Sequence, residues 1–553
     1  MTNPDIYQLR QSELGLLDTL IEKIPATRGC NNKKADEKIP LKDFNTCQTL
    51  RALFPPSSDL DILFKSTTGW WNLWHCLVPS ISQDRHQKSL QQFVSWGLCQ
   101  RNPNLVALAL QCVIFSVYQT RPGTYDRELS LPMPMKDLMD ECLAAIEKTV
   151  IGDDDYAGSF EGLEVMVMQS RCYMNLGQPQ KAWLLLHRAI SIAQLLGLHR
   201  KVSILKTELQ MSESQRQNFW WTLNELDRYL SLIMGLPYAV DDVSHGNQEL
   251  VDNGPMTIAL YRRNLSLIAL RIMQRNMACP DFPPTTTTEI DQALDDLENN
   301  NFQLFSSNET TEETYQYLVV RFWHNQLKAF VHLPFMLRSQ AELRFPTSYH
   351  GAFSASREML RIYHLMRLDP SSAFQICRVI DFQAFTAAML ILLGRMGQER
   401  LSSVYGGADD VQLVDTTIKI LQDASSEYGG SVATRSVKVL NKLRSILHRH
   451  SAGGVHAETI FEKISVPYFG TIKISKGQQA STSHRDTTAL EQENTQTWTS
   501  TKECEQATTV SQPISNDEAA SDGVFNLPQI DIDWNDIPST DFDQNWDWFS
   551  EEI

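Results

Sequence analysis

The segment from Phe219 to Pro237 constrains the fold more than any other part of the chain. Its large apolar residues recur at steps of four, three, four and three, which places them on one face of an α-helix. These residues are Phe219, Leu223, Leu226, Leu230 and Ile233. Ser212 and Gln215 form a capping-box pattern upstream, and Gly235 followed by Pro237 supplies the end signal. The spacing therefore predicts a buried amphipathic helix, and by itself it indicates no function.

The same segment carries an order of residue types that is more specific than its periodicity. A Trp-Trp pair is followed by Leu-x-x-Leu-Asp-Arg, then by Leu-Ser, then by Gly-x-Pro. This order resembles the signature of the regulatory, or middle homology, domain of fungal zinc-cluster transcription factors. Residues 163–200 are similar to the helical hairpin of that domain, with a turn at Gly177, and the resemblance covers roughly residues 52–450. The domain signature residues are Trp220, Trp221, Leu226, Asp227, Arg228, Gly235 and Pro237.

Helical periodicity recurs along most of the chain, whereas runs of Val, Ile and Thr bounded by turns are rare. We therefore predict an all-α protein in which a large helical regulatory domain precedes a disordered acidic C-terminal tail. The longest apolar stretch, residues 384–393, is shorter than the roughly 18 residues of a membrane-spanning helix, so we expect no membrane partner. Ten scattered cysteines indicate free thiols in a reducing compartment rather than a disulfide framework.

The composition changes along the chain and divides it into five parts. The first part contains apolar residues at helical spacing, from Leu14 to Ile24. It resembles the dimerisation helix of the family, and the alternative is a helix packed on the main domain. The predicted parts are residues 1–25 (linker or dimerisation helix), 26–51 (linker), 52–450 (regulatory domain), 451–516 (disordered Ser/Thr/Gln-rich linker) and 517–553 (activation segment).

The C-terminal tail concentrates negative charge and aromatic side chains. Residues 517–553 contain eleven Asp and Glu residues and no Lys or Arg, within a chain of net charge −17. Repulsion among the carboxylates keeps the interleaved aromatic groups exposed, so that a hydrophobic groove on a partner can bind them. This composition is typical of an acidic transcriptional activation segment, and the alternative is an anchor that docks on the helical body. The residues expected to bind the transcription machinery are Trp534, Phe542, Trp546, Trp548 and Phe549.

The zinc cluster that the resemblance implies is not present in these 553 residues. The cluster needs six cysteines that include two Cys-x2-Cys pairs, and the sequence contains no Cys-x2-Cys. Two explanations stay open: the cluster has been lost, or the gene model starts too late. We expect no cofactor and no metal, and DNA binding that is weak or supplied through a homo- or heterodimer partner. The strongest candidate for a nucleic-acid contact is the basic stretch Arg435–Arg449, and its alternative is a solvated helix face.

The resemblance implies a nuclear regulator of transcription, in the first place an activator, that controls a metabolic or secondary-metabolite biosynthetic gene cluster. The alternative is a co-regulator without its own DNA contact that dimerises with a zinc-cluster transcription factor. An all-α enzyme is a remote alternative, because Asp153, Asp154 and Asp155 could bind Mg²⁺ but no second metal-binding motif accompanies them. Asp227 and Arg228 do not face each other on a helix, so we expect a buried ion pair or a capping role rather than catalysis.

Overall fold

The computed structural model describes sixteen α-helices, one π-helical turn and three β-strands. Nearly all of the helical structure lies between residues 40 and 451, and the strands follow it. The described residues are 40–67, 69–71, 88–120, 122–123, 129–130, 133–200, 213–241, 256–278, 284–300, 311–338, 346–368, 378–396, 407–451, 462–466, 470–476 and 528–533.

The first half of the helical body surrounds one almost fully buried helix. Its helices are α1 (Leu41–Arg51), α2 (Ser57–Thr67), α3 (Leu90–Leu98), α4 (Pro103–Tyr118), α5 (Met135–Ile146), α6 (Asp154–Ala157), α7 (Phe160–Asn175) and α8 (Pro179–Leu195), with a π-helical turn at Glu147–Ile151. The central helix α4 begins with an Asn102 cap and with Pro103, a residue suited to the first helical position. Its apolar surface contacts α1, α2, α3, α5 and α7, and it therefore forms the centre of this half.

The second half is built from longer helices that pack on one another. They are α9 (Glu213–Met234), α10 (Ile258–Ala278), α11 (Pro284–Asn299), α12 (Thr311–Arg338), α13 (Pro346–Leu368), α14 (Arg378–Met396), α15 (Gly407–Ala424) and α16 (Ser431–Ser451). Residues 378–394 of α14 are all buried, because this helix contacts α13, α15 and α16 and also reaches α7. Helix α14 thus joins the two halves. Among the described helices, no segment is both long and apolar enough to cross a membrane.

The prediction of a buried helix at 219–233 is confirmed. Trp220 and Trp221 are 4% and 6% exposed, and every residue of the apolar stripe is buried in the core. The predicted hairpin is confirmed as well: α7 and α8 pack together through small residues such as Ala182, and they meet at Gly177 with φ +72°. Only glycine adopts this left-handed backbone conformation without strain. The all-α prediction therefore holds for the helical body.

The predicted linker at residues 26–51 requires a correction at its C-terminal end. Residues 41–51 form helix α1, in which Cys47 and Leu50 are buried against the body. The Arg51 guanidinium donates hydrogen bonds to the carbonyls of Leu98 and Gln100, at 2.9 and 2.6 Å. The helical body therefore starts near residue 41 rather than 52. The predicted helix at residues 1–25 lies outside the described residues.

The C-terminal region requires a second correction, because parts of it form a sheet. The strands are β1 (Glu462–Val466), β2 (Gly470–Lys476) and β3 (Pro528–Asp533). Strand β2 lies in the middle and pairs antiparallel with both neighbours. Strands β1 and β2 fall in the segment for which we expected disorder, and β3 falls in the predicted activation segment. Residues 477–527 and 534–553 lie outside the described residues.

Candidate regulatory site

Helix α9 carries the signature residues and ends in a tight turn. Gly235 has φ +66°, and the backbone N–H of Leu236 donates to the carbonyl of Ser231 at 3.0 Å. This is the six-residue hydrogen bond of a Schellman motif, which turns the chain out of a helix. Pro237 follows two residues after the glycine and cannot continue the helix. The signature Gly and Pro therefore define how the chain leaves α9.

The Asp227 carboxylate holds the loop that follows this turn. The side chain is 1% exposed, and its Oδ2 accepts a hydrogen bond from the backbone N–H of Ala239 at 2.7 Å. Its Oδ1 lies 2.9 Å from Nε2 of His187 on α8 and 3.3 Å from the Ser231 hydroxyl. Asp227 therefore connects α8, α9 and the loop after α9 through one buried group.

An aromatic layer on α8 completes this junction. The indole N–H of Trp183 donates to the Ser231 hydroxyl at 2.9 Å, and the Trp183 ring lies 3.8 Å, centroid to centroid, from the His187 ring. The Ser231 hydroxyl is also 3.2 Å from the Pro237 carbonyl. We call Trp183, His187, Asp227, Ser231 and Ala239 the α8–α9 junction. Its contacts are structural and leave no vacant group for catalysis.

Arg228, the next signature residue, points away from Asp227 into a different environment. It is 1% exposed, and its Nη1 donates to the Ser266 hydroxyl on α10 at 3.2 Å. Its Nε and Nη2 have no hydrogen-bond partner among the described residues. Burial lowers the pKa of the guanidinium, against the opposing effect of Asp227 and Glu225. Arg228 therefore does not form a direct ion pair with its sequence neighbour.

A small cavity lies where α9, α12, α13 and α14 meet. Its walls are mainly apolar, with Phe330, Met359 and Phe382 among them, and two buried glutamines also line it. The Gln383 amide N–H₂ donates to the Gln326 side-chain oxygen at 2.7 Å and to the Tyr229 hydroxyl at 2.6 Å. The remaining amide groups, Gln326 Nε2 and Gln383 Oε1, have no partner among the described residues. The space between the side chains is about that of a water molecule.

A second buried polar cluster joins α13, α14 and the turn between α15 and α16. Arg378 donates to Asp381 at 2.7 Å and to Glu427 at 2.8 Å, and Arg367 donates to Glu427 at 3.1 Å. The Tyr363 hydroxyl donates to Asp381 at 2.8 Å, and burial raises the pKa of this tyrosine well above its usual value. Because two guanidinium groups balance two carboxylates, the cluster offers no net charge to a ligand.

His324 is a buried histidine on α12 that the helical body keeps neutral. It is 3% exposed, and its Nδ1 lies 3.0 Å from the Tyr261 hydroxyl on α10. Burial lowers the pKa of His324 to about 4, and the cations Lys328 and Arg321 lower it further. Since the imidazole is neutral near pH 7, its 3.6 Å approach to Glu298 is not an ion pair at that pH.

The three consecutive aspartates that could serve a metal are paired with cations instead. Lys42 lies 2.8 Å from Asp153 and 2.7 Å from Asp155, and Arg188 lies 3.0 Å from Asp154. Asp153 also caps the short helix α6 by accepting from the backbone N–H of Asp155. Across the described part of the chain, no three His, Cys, Asp or Glu side chains come close enough to bind one metal ion.

The basic stretch that we considered for nucleic-acid contact forms most of α16. Val432, Leu440 and Leu443 on this helix are buried against α14 and α15. Lys438 is exposed, whereas Arg444 lies 3.0 Å from Asp415 of α15. The helix therefore presents basic groups on its outer face, and one of them is compensated by a carboxylate.

The aromatic residues expected to bind the transcription machinery follow directly after the last strand. They lie outside the described residues, so their prediction stays a prediction. The sequence contained one signal for the strands that our prediction missed. Isoleucines alternate with polar residues at 472 and 474 in β2 and at 530 and 532 in β3, which is the period-two pattern of a strand.

The helical region matches a known family of domains. Residues 71–331 match the model described as the fungal specific transcription factor domain. This range includes α3 to α10, the complete signature and the α8–α9 junction. The resemblance seen in the sequence is thereby confirmed.

Three curated relatives align over much of the chain. The transcription factor sdnS of Sordaria araneosa is 25% identical over 513 residues, which are 86% of this chain and 66% of the relative. The dehydrocurvularin biosynthesis regulator of Aspergillus terreus is 26% identical over 78% of this chain and 65% of its own length. The protein of the same name from Alternaria cinerariae is 29% identical over 59% of this chain and 47% of its own length. The chain thus spans about two thirds of the first two relatives and about half of the third. It contains a fungal specific transcription factor domain at residues 71–331, and its relatives are fungal transcription factors.

Proposed function

We propose that this protein regulates transcription in a fungal nucleus and activates a gene cluster for the biosynthesis of a secondary metabolite. The observation that carries the proposal is the fungal specific transcription factor domain, together with relatives named as biosynthesis regulators. Each relative is similar over a part of its own length, so the pathway it controls belongs to that relative. The class of target genes, rather than any particular product, is what this similarity supports.

Activation would depend on the aromatic residues of the C-terminal tail. Eleven carboxylates within residues 517–553 keep the segment soluble, while its Trp and Phe side chains supply apolar surface for the transcription machinery. The partner would be a protein with a hydrophobic groove, because short segments of mixed acidic and aromatic residues bind such grooves on folding. The tail thus provides the contact and the helical domain provides its control.

Contact with DNA would be weak in this chain alone or would come through a partner. The net charge of −17 opposes a general affinity for phosphates, and the sequence contains no Cys-x2-Cys for a zinc cluster. This second observation favours an alternative function, that of a co-regulator which dimerises with a zinc-cluster transcription factor. Residues 1–25 carry the amphipathic pattern suited to such a homo- or heterodimer.

The protein would not be an enzyme. The aspartates that suggest a metal-dependent reaction are paired with Lys42 and Arg188, and Asp227 holds a backbone loop. Transcription factors among the relatives support the same interpretation. An all-α enzyme therefore remains the remote alternative.

The direct test of the proposed function is deletion of the gene in its own fungus, with transcripts measured across the genome. We expect a coordinated decrease in the transcripts of one biosynthetic cluster, and restoration when the gene is returned. A returned allele with the five tail aromatics changed to Ala should accumulate as protein but fail to restore the transcripts. Unchanged transcripts in every cluster, under conditions in which the gene is expressed, would refute the proposal.

A binding assay separates the proposed function from its alternative. We expect the purified chain to bind promoter DNA with a dissociation constant in the range typical of non-specific binding, about 10⁻⁴–10⁻⁶ M, and without sequence preference. Nanomolar and sequence-selective binding would contradict the co-regulator and would direct attention to α16. In that case, Lys438→Glu on the exposed face of α16 should weaken the binding, whereas a charge change at the paired Arg444 should also disturb packing.

A further inference from the structure

The sheet at the C-terminus joins two segments that are far apart in sequence. Strands β1 and β2 form a hairpin, and β3 begins 52 residues after the end of β2. Strand β3 pairs with the free edge of β2 in a continuous antiparallel register, from Thr471 opposite Asp533 to Lys476 opposite Pro528. The third strand of the sheet is therefore supplied by the acidic tail.

The register sorts the residues of the three strands by polarity. Because successive strand residues alternate between faces, the isoleucines at 464, 472, 474, 530 and 532 all occupy positions on one face of the sheet. Polar residues, including Lys473 and Asp531, occupy the other face. A slip of one residue between β2 and β3 would move the isoleucines of β3 to the polar face. The sequence pattern therefore selects the register that the structure has.

The charge pattern favours the same pairing. In the hairpin, Lys463 stands directly opposite Lys473, and like charges at opposed positions destabilise a strand pair. Asp531 of β3 stands opposite Lys473 on its other side. A carboxylate at this position offsets the repulsion between the two lysines. A two-stranded hairpin is also marginal on its own, and a third strand with an apolar face is the usual requirement for stability.

We propose that the hairpin of residues 462–476 is an intramolecular receptor for the acidic tail, which it captures as the third strand at residues 528–533. The captured strand ends at Asp533, directly before Trp534, the first of the predicted activation residues. Pairing at β3 therefore withholds the start of the activation segment from the transcription machinery, and release exposes it. The regulatory part of this inference rests on the proposed function of the tail, whereas the pairing itself does not.

The pairing is tested by disulfide formation between introduced cysteines in the full chain. Residues 472 and 532 are Cα partners in the register, and opposed residues of antiparallel strands have the separation that a disulfide needs. We expect the pair Ile472→Cys with Ile532→Cys to cross-link under mild oxidation, detected as linked peptides by mass spectrometry. The control pair, Ile472→Cys with Asp531→Cys, occupies opposite faces and should cross-link about tenfold less. Equal yields, or no product from the first pair, would overturn the proposal.

The regulatory consequence is tested by a reporter assay on the full chain fused to an unrelated DNA-binding domain. Lys473→Glu places a carboxylate opposite Asp531, outside the tail, and should raise reporter activity about threefold. Adding Asp531→Lys to this variant should return activity to the original level. Lys438→Glu on α16, which makes the same charge change outside the sheet, is the matched control and should have no effect. Equal activity of the Lys473→Glu and Lys438→Glu variants would overturn the regulatory role.

A separate fusion of residues 517–553 alone distinguishes the two proposals. Activity of this fusion, together with its insensitivity to Asp531→Lys, supports the tail as an activator that the hairpin restrains. An inactive fusion would contradict the proposed activation and the regulatory role with it. The pairing itself would then still be decided by the disulfide yields.

Discussion

Removal of the Asp227 carboxylate should destabilise the helical body more than any other change within the signature. The carboxylate is 1% exposed and accepts the backbone N–H of Ala239 at 2.7 Å. It also lies 2.9 Å from His187 Nε2 and 3.3 Å from the Ser231 hydroxyl. In the Asp227→Ala variant, these groups stay buried without their acceptor, and water has no route to replace it.

The magnitude follows from the groups left behind. A buried donor without a partner costs about 1–3 kcal/mol, and breaking a buried charged pair on one side costs about 3–5 kcal/mol. We expect Asp227→Ala to lower the free energy of unfolding by about 3–5 kcal/mol. Asp227→Asn keeps the shape and one oxygen acceptor but places an N–H₂ group near His187 or Ala239, so its cost should be about 1–3 kcal/mol.

Urea unfolding of the full chain, followed by tryptophan fluorescence, measures both variants. Trp183 and Trp220 lie in or next to the junction, so their emission reports this part of the helical body. The matched control is Asp154→Ala, because Asp154 is an exposed aspartate whose ion pair with Arg188 lies at the surface. Exposed pairs contribute about 0–1 kcal/mol. If Asp227→Ala were no more destabilising than Asp154→Ala, Asp227 would not hold the junction together.

Three further predictions concern the core, the buried histidine and the tail. Trp221→Ala should lower the free energy of unfolding by about 3–5 kcal/mol, since Trp221 is 6% exposed; a thermal melt unchanged from the original chain would contradict its burial. The His324 pKa of about 4 lies below its ordinary 6.5, so the unfolded chain binds the proton first: stability should be constant above pH 6.5 and fall by about 3 kcal/mol towards pH 4. Urea midpoints across this range should show a weaker pH dependence in His324→Gln than in the exposed control His350→Gln. In a fusion of residues 517–553 to a DNA-binding domain, changing all tail aromatics to Ala should abolish reporter activity, whereas two Asp→Asn changes should only weaken it. These aromatics are Trp534, Phe542, Trp546, Trp548 and Phe549.

Features fixed by neighbouring residues could be predicted from the sequence. The stripe from Phe219 to Ile233 identifies α9, and Gly235 with Pro237 identifies its end, because periodicity and backbone conformation are local properties. The hairpin turn at Gly177 was predictable for the same reason. Each of these signals lies within a few residues of the structure it determines.

The partner of a buried polar group could not be predicted in the same way. The sequence places Asp227 beside Arg228 and suggests a buried ion pair or a capping role. The structure instead brings His187, 40 residues upstream, to Asp227 and Ser266, 38 residues downstream, to Arg228. Such contacts depend on how α8, α9 and α10 pack, and no local spacing specifies that arrangement. The burial of these residues was predictable, whereas their partners were not.

Boundaries inferred from composition failed where a structured element is short or weakly apolar. Helix α1 buries Cys47 and Leu50, and its remaining residues are mostly polar, so the segment resembles a linker. The strands failed for a related reason. Their period-two patterns span a few residues within a Ser/Thr/Gln-rich region, and β2 and β3 gain their pairing only from each other. A composition average over the region removes the alternation that would have revealed them.

The pairing of β2 with β3 also determines how far the tail can move from the helical domain. Along the chain, Asp533 is 82 residues from Ser451, the last residue of α16. Through the β2–β3 register, Asp533 is opposite Thr471, which is 20 residues from Ser451. At about 3.4 Å per extended residue, the greatest reach falls from roughly 280 Å to roughly 70 Å. The sheet therefore keeps the start of the activation segment near the helical body. A molecule that binds the paired and released forms unequally would shift the population of exposed tails by its difference in affinity alone.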